Sequence, residues 1–313
     1  MFCSRPFTQF YVDVEGDAYQ CCPGWLTRKM GNILTEDPLA IWHSAAAEEI
    51  RASILDQSFR YCEHCPFLPN QFLAGHLEAG EPRQMSCEPI ESLVLSYDPV
   101  CNLSCPSCRQ SIKGSGPKAA LVHQAVVKSG LLGKVRNIST SDVGDPIASL
   151  QIWNALTSLD EASAEPTISL HTNGLLFTPE KWGELGANQK RVTAIIVSID
   201  AACESTYKLN RGGQWELLMA NLEWMSKVKS FVLDFNFVYQ TNNFREMPDF
   251  VRLADRFGVR FVRFSYLVNK GTYSHEDYTT RAIHKSEHVL HDEFLEILRH
   301  PLLTDSKRVY VCQ

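Results

Sequence analysis

Three observations predict an α/β protein built on a parallel sheet with crossover helices, preceded by a small α+β module. From residue 88 onward, six apolar strand-like runs alternate with helical patterns. Residues 1–87 differ in composition and carry only short strand signals and one amphipathic stretch. The chain has 11 cysteines, and seven of them stand at spacings suited to metal ligation.

The N-terminal module opens with FTQFYVDVEGDAYQCCP, where two short strands flank a turn at Glu15-Gly16-Asp17. In GNILTEDPLAIWHSAAAEEIRASILDQ, Glu36 or Asp37 starts a helix with Pro38 in its first turn. Leu39, Trp42, Ala46 and Ile50 then share one face, which makes Trp42 a core residue. The module closes with YCEHCPFLP and a Gly- and Pro-bearing stretch up to Cys87.

The strands expected beyond it are SLVLSY, VRNIST, TISLHT, AIIVSI, FVLDFNFV and VRFVRFSYL. Helices are expected at KAALVHQAVVKSGLL, IASLQIWNALTSL, PEKWGELG, QWELLMANLEWMSKV and FREMPDFVRLADRFG. The division expected is residues 1–87, 88–270 and a helical tail 271–313 that ends in HVLHDEFLEILRHPLL and covers one end of the sheet.

The chain is organised around CNLSCPSC, directly after the first strand of the alternation. Cys101, Cys105 and Cys108 in one tight loop can hold three irons of a 4Fe–4S cubane. No fourth cysteine follows closely, so one iron would stay open to an exogenous ligand. Zinc is the alternative for any cysteine cluster, but it wants a closed tetrahedron. None of Arg109, Gln110, Ser111 or Ile112 supplies the fourth ligand.

The CxxxCxxC spacing resembles that of the radical S-adenosylmethionine (SAM) superfamily. The resemblance implies a partial (β/α)6 barrel, in which the open iron chelates SAM and an electron cleaves it to methionine and a 5′-deoxyadenosyl radical. Chemistry in such barrels gathers at the C-terminal strand ends. Gly144-Asp145-Pro146 matches the family's GGEP-type segment, with Asp145 in place of glutamate. Independently of that role, Asp145 and Pro146 suit a helix N-terminus. His171-Thr172-Asn173-Gly174 resembles the TNG turn, which implies SAM contacts from His171 and Asn173. VSIDAACESTYKLNRGG resembles the SxD strand end followed by a helix and an Arg-Gly pair. Ser198 is then expected on the ribose and Arg211 on the SAM carboxylate, which a guanidinium fork binds bidentately. Asp200 is expected to orient a loop or touch substrate, and Gln240, Asn242 and Asn269 are expected to contact SAM or substrate. Ser107 stands where many members have an aromatic near adenine.

The N-terminal module resembles the SPASM and twitch domains, which carry auxiliary iron–sulfur clusters. The matching residues are Cys3, Gly16 and Cys21, the GNI…EDPLAIW helix, and Cys62 with Cys65. In the family this module follows the barrel; here it precedes it. With Gln71 where a further ligand would stand, one auxiliary cluster on Cys3, Cys21, Cys62 and Cys65 is expected, with Cys22 and Cys87 as spares. Two 4Fe–4S clusters and SAM are thus the implied cofactors, with flavodoxin or ferredoxin as reductant. A structural zinc on the same four cysteines is the other reading.

The fate of the substrate radical separates the possible reactions. An auxiliary cluster near the substrate would accept an electron and yield net oxidation. A thiol opposite would return hydrogen and yield epimerisation, and Cys203, just past the SxD strand end, is the candidate donor; a small buried residue at a helix start is its other reading. The substrate expected is small and polar, such as a sugar or aminocyclitol, with a peptide as the alternative. A zinc-stabilised binding protein without turnover is the alternative of another class.

A net charge of −6 argues against an electrostatically driven nucleic-acid or anionic-membrane partner. No apolar run approaches the roughly 20 residues of a membrane span, and the N-terminus lacks the apolar core of a signal peptide. With the reduced thiols, these features lead to the expectation of a cytoplasmic protein.

Overall fold

The computed structural model describes residues 2–62, 65, 68, 77–78, 89–140, 143–160, 165–305 and 307–312. The chain forms two compact units, Met1–Val100 with Gly114–Leu170 and Leu185–Arg191, and Cys101–Lys113 with His171–Glu184 and Val192–Gln313.

The first unit begins with β1 (Phe2–Cys3), α1 (Arg5–Thr8), β2 (Gln9–Val12) and β3 (Asp17–Tyr19). The expected turn joins β2 and β3. Gly16 adopts φ +79°, which glycine reaches without strain, and the Asp13 carboxylate accepts the Glu15 and Asp17 amides, each at 2.9 Å. β4 (Gly31–Asn32) continues this antiparallel meander.

The single helix expected from residue 36 is two helices, α2 (Pro38–Trp42) and α3 (Ala45–Leu55). Asp37 caps the first through Leu39 N and Ala40 N. Ser44 breaks the run, because its hydroxyl accepts from Ala47 N and starts a new helix. The break divides the expected face: Trp42 and Ile50 are buried as expected, together with Ile41, Ala47 and Ile54, whereas Leu39 is 56% exposed.

β5 (Leu77–Glu78) pairs antiparallel with β1, placing Leu77 beside Cys3. β6 (Ser92–Leu95), α4 (Pro117–Lys128), β7 (Asn137–Thr140), α5 (Leu150–Thr157) and the first residues of β8 (Thr167–Thr172) complete the unit. β2, β6, β7 and β8 run parallel in that order. The N-terminal module is therefore joined to the alternating segment by a parallel pairing, Gln9 opposite Ser92 through Val12 opposite Leu95. Periodicity within either strand carries no mark of that partner.

The second unit holds α6 (Pro179–Glu184), β9 (Val192–Ser198), α7 (Glu204–Arg211), α8 (Trp215–Met225), β10 (Val232–Tyr239), α9 (Met247–Arg256) and β11 (Phe261–Tyr266). α10 (His275–Arg281), α11 (His291–Leu298) and β12 (Val309–Val311) follow. β9, β10, β11 and β12 are parallel neighbours in sequence order. All six expected strands are present, and β12, in the tail read as helical, adds a further one. Phe237 packs on Phe250 at 4.8 Å and Phe264 at 5.3 Å between ring centroids, joining β10 and β11 to α9. Each fully buried side chain of this kind stabilises the unit by about 1.5–3 kcal/mol. α11 sets Phe294 against Tyr239, at the C-terminal end of β10, with centroids 4.9 Å apart.

Candidate functional site

The cysteine loop lies in the second unit and turns tightly on itself, with Cys108 N and Arg109 N both donating to Cys105 O, at 2.9 and 3.0 Å. Cys105 is buried, while Cys101 and Cys108 are half-buried. Several donors reach the sulfurs: Leu103 N to Cys101 Sγ at 3.5 Å, Asn173 Nδ2 to the same sulfur at 3.7 Å, and Arg109 Nη2 to Cys108 Sγ at 3.6 Å. Asn173 also donates to Asn102 Oδ1 at 2.8 Å and accepts Leu175 N, so the residue expected on SAM also shapes the loop that carries the thiols.

Burial pushes the Cys105 thiol up, and the Arg211 guanidinium pulls it down. Arg211 sits at the end of α7 and is 13% exposed. Its Nη1 is 2.9 Å from Asp200 Oδ2, and Cys105 Sγ donates to its carbonyl at 3.7 Å. Burial opposes the Arg211 charge, but Cys105 and Asp200 together hold its pKa above the ordinary value. Asp200, two residues past the end of β9, has φ +60° and takes Val238 N onto Oδ1 at 2.7 Å. Asn210 and Asn243 both donate to its carbonyl, at 2.9 and 3.0 Å.

His171 and Ser198 meet: His171 Nε2 is 2.7 Å from Ser198 Oγ and 3.2 Å from Asn236 Nδ2. Gln240, 3% exposed, donates Nε2 to Asn210 Oδ1 at 3.0 Å. Asn210 must accept there, because its own Nδ2 is committed to the Asp200 carbonyl. That fixes the Gln240 amide, and its Oε1 is left buried without a partner. Asn242 donates to the same Asn210 oxygen at 2.8 Å. Asn269 instead spends its carboxamide on its own loop, bonding Tyr273 O, Gly271 N and Tyr273 N.

Cys203 is exposed at the N-cap of α7, so its reading as a buried packing residue is overturned. Its Sγ lies 3.3 Å from Ser205 Oγ, 3.5 Å from Thr206 Oγ1 and 3.6 Å from Glu246 Oε1. Tyr207 on the same helix is a site neighbour that no motif marks in the sequence. It is fully buried, its hydroxyl has no partner, and burial raises its pKa to about 12.

Gly144 and Asp145 belong to the first unit. A Cβ on Gly144 would stand 2.4 Å from Asp98 O and 2.6 Å from Val100 O, so only glycine lets the two backbones approach. Asp145 N donates to Val100 O at 2.7 Å, and Oδ1 accepts Ile147 N. Asp145 is not the helix cap: α5 starts later, capped by Ser149 through Ile152 N. The Ser149 hydroxyl also reaches Asp98 Oδ2 at 2.6 Å, which ties the helix start to the segment leading into Cys101.

Four further cysteines gather elsewhere in that unit. Buried Cys21 and Cys62 share one apolar cluster with Phe2, Phe7, Leu26, Ile50 and Ile54, and Cys3 and Cys65 pack against it. Burial first, then the neighbouring Cys21 thiol, raises both Cys3 and Cys62 to about 12. Trp25 Nε1 donates to Cys21 Sγ at 3.2 Å and Arg5 Nη1 to the same atom at 3.6 Å. Among the described residues, no three His, Cys, Asp or Glu side chains close on a single metal-ion position. Cys87 and Gln71 lie outside the described residues.

Residues 3–66 match the SPASM model, an iron–sulfur cluster-binding domain, and the match contains all four of these cysteines. No curated protein sequence matches the chain. Among solved structures, SuiB of Streptococcus suis is similar at 16% identity over 71% of this chain and 49% of that one, with a TM-score of 0.50. SuiB bound to its precursor peptide SuiA matches at 11% identity over 97% of this chain and 71% of that one, TM-score 0.49. Native anSMEcpe with bound AdoMet matches at 21% identity over 71% and 64%, TM-score 0.49. The fold is thus one already found in SuiB, and this chain spans about half the length of the SuiB structure it resembles. No helix among the described residues is long and apolar enough to cross a membrane.

Proposed function

We propose that this chain, a radical SAM-type fold with a SPASM domain at residues 3–66, cleaves SAM reductively and abstracts hydrogen from a substrate C–H bond. The observation that carries the reading is the parting of seven thiols into a tight loop of three and a set of four gathered on one apolar cluster, two of them buried and two half-buried. Both sets suit iron–sulfur clusters: thiolates are the preferred donors, and N–H groups already point at their sulfurs. When bound, the cluster on Cys101, Cys105 and Cys108 would supply the electron that converts SAM to methionine and a 5′-deoxyadenosyl radical.

The chain's own residues hold and orient. Asn173 and Arg109 brace the cysteine loop. Ser198 and His171 present a polar pair at the end of β9, suited to the ribose hydroxyls. Arg211 keeps part of its fork for a carboxylate beyond Asp200, since its Nε has no partner. Gln240 Oε1, fixed as an acceptor, suits a hydroxyl or amino donor of SAM or substrate; the substrate proposed is small and polar, such as a sugar or aminocyclitol, and is oxidised. Cys203 as a hydrogen donor would make the reaction an epimerisation; its exposed thiol, 3.6 Å from the Glu246 carboxylate, favours keeping that second reading.

Anaerobic iron and sulfide analysis after reconstitution tests the proposal, on the natural chain and on the triple variant Cys101→Ala/Cys105→Ala/Cys108→Ala. About eight irons falling to about four is the expected result. Four falling to none would remove the auxiliary cluster, and no iron in either would sink the radical reading. Cys203→Ala separates the reactions: loss of product inversion with continued 5′-deoxyadenosine formation favours epimerisation, and unchanged turnover favours oxidation.

A further inference from the structure

Two side-chain donors meet at one sulfur of the four-cysteine set. Arg5 and Trp25 concentrate on one of its sulfurs: Trp25 Nε1 stands 3.2 Å from Cys21 Sγ, and Arg5 Nη1 stands 3.6 Å from it. Both residues are placed by local chain geometry. Arg5 opens α1, two residues after Cys3. Trp25 is four residues after Cys21, in a turn where Trp25 N and Leu26 N both donate to Cys22 O.

We propose that Arg5 and Trp25 are positioning residues that raise the reduction potential of an iron–sulfur cluster held by Cys3, Cys21, Cys62 and Cys65. The inference rests on the cluster assignment above and goes beyond it by naming the residues that set the cluster's potential. The physical reason is direct. Adding an electron makes the cluster and its thiolates more negative, and N–H donors and a guanidinium stabilise the more negative state. The indole supplies a dipole and the guanidinium a full charge, at a sulfur whose residue is only 7% exposed and therefore weakly screened by water.

The test is an EPR-monitored redox titration of the reconstituted full chain and of Trp25→Phe, Arg5→Gln, Arg5→Lys and the double variant Trp25→Phe/Arg5→Gln. Iron content is measured on every sample. The double variant is expected to keep its iron and to shift the auxiliary cluster's reduction equilibrium at least about tenfold toward the oxidised form, about 59 mV for one electron. Arg5→Lys should recover part of the Arg5→Gln shift, because the charge survives. The cluster on Cys101, Cys105 and Cys108 serves as the internal control and should not move. An auxiliary potential unchanged with iron retained would overturn the assignment. Iron loss in every variant would overturn it too, and would make both residues structural. Absence of the second cluster from the natural chain would show as about four irons before any variant is made, and that outcome would sink the cluster assignment itself.

Discussion

Asp200 and Arg211 form a buried ion pair, 2.9 Å apart and 3% and 13% exposed, and the pair joins the end of β9 to the end of α7. Asp200→Asn should keep the backbone, since asparagine tolerates the φ of +60° found there. It leaves the guanidinium buried without its counter-charge, at a cost of about 3 kcal/mol. Denaturant unfolding of the variant reads that loss directly. A change below about 0.5 kcal/mol, the size of an ordinary surface substitution, would mean that solvent already screens the pair.

Gly144→Ala should act on the cysteine loop without touching a thiol. The added Cβ meets only backbone, Asp98 O at 2.4 Å and Val100 O at 2.6 Å, and neither can rotate away. The segment that leads covalently into Cys101 must shift. Iron analysis should then show partial loss from the three-cysteine loop, with the iron of the N-terminal set retained. Full iron content with undiminished SAM binding would contradict the close-approach argument.

Arg51→Ala should loosen the N-terminal module. Arg51 is 3% exposed; it donates Nε to Pro6 O at 3.0 Å and Nη2 to Trp42 O at 2.9 Å, and its guanidinium lies 4.4 Å from the Trp42 ring centre. Truncation removes a donor from each of two backbone carbonyls and the guanidinium from the Trp42 ring, for a combined loss of about 3 kcal/mol. Hydrogen exchange should speed up across residues 5–55 and stay unchanged over β9–β11. Uniform exchange would show that the arginine is dispensable.

His284 predicts a pH dependence. Burial lowers its pKa from 6.5 to about 4, and its ring stacks on Tyr266 with centroids 4.8 Å apart. The folded state therefore prefers the neutral ring. Above the unfolded value of about 6.5 both states are neutral and the contribution is complete. As pH falls from there toward 4, the unfolded chain takes up a proton that the folded chain refuses, and stability drops. His284→Phe keeps the stacking and should flatten that part of the melting-temperature profile. An identical slope in both proteins would assign it to other groups.

Much of the fold was legible because its signals are local. Apolar runs such as TISLHT and AIIVSI, set between helical patterns, mark parallel strands wherever they are read. The cysteine loops were legible for the same reason, since ligands from one loop have fixed spacing. The helix break at Ser44 was a competition between local signals: a capping hydroxyl outweighed the apolar spacing that ran through it. β12 and the pairing of β2 with β6 were not legible, because a partner strand supplies their hydrogen bonds and each run is only three or four residues long.

By itself the sequence determined the strand–helix alternation, the loop of Cys101, Cys105 and Cys108, and the distant cysteines that could share a cluster. Only the tertiary structure decided which groups face one another: Cys3, Cys21, Cys62 and Cys65 around one apolar cluster, Asp200 against Arg211, and Arg5 with Trp25 at the Cys21 sulfur. The reason is that spacing along the chain constrains only what a few residues of backbone can span. Contacts between residues tens of positions apart are selected by burial and by the pairing of polar groups that burial removes from water.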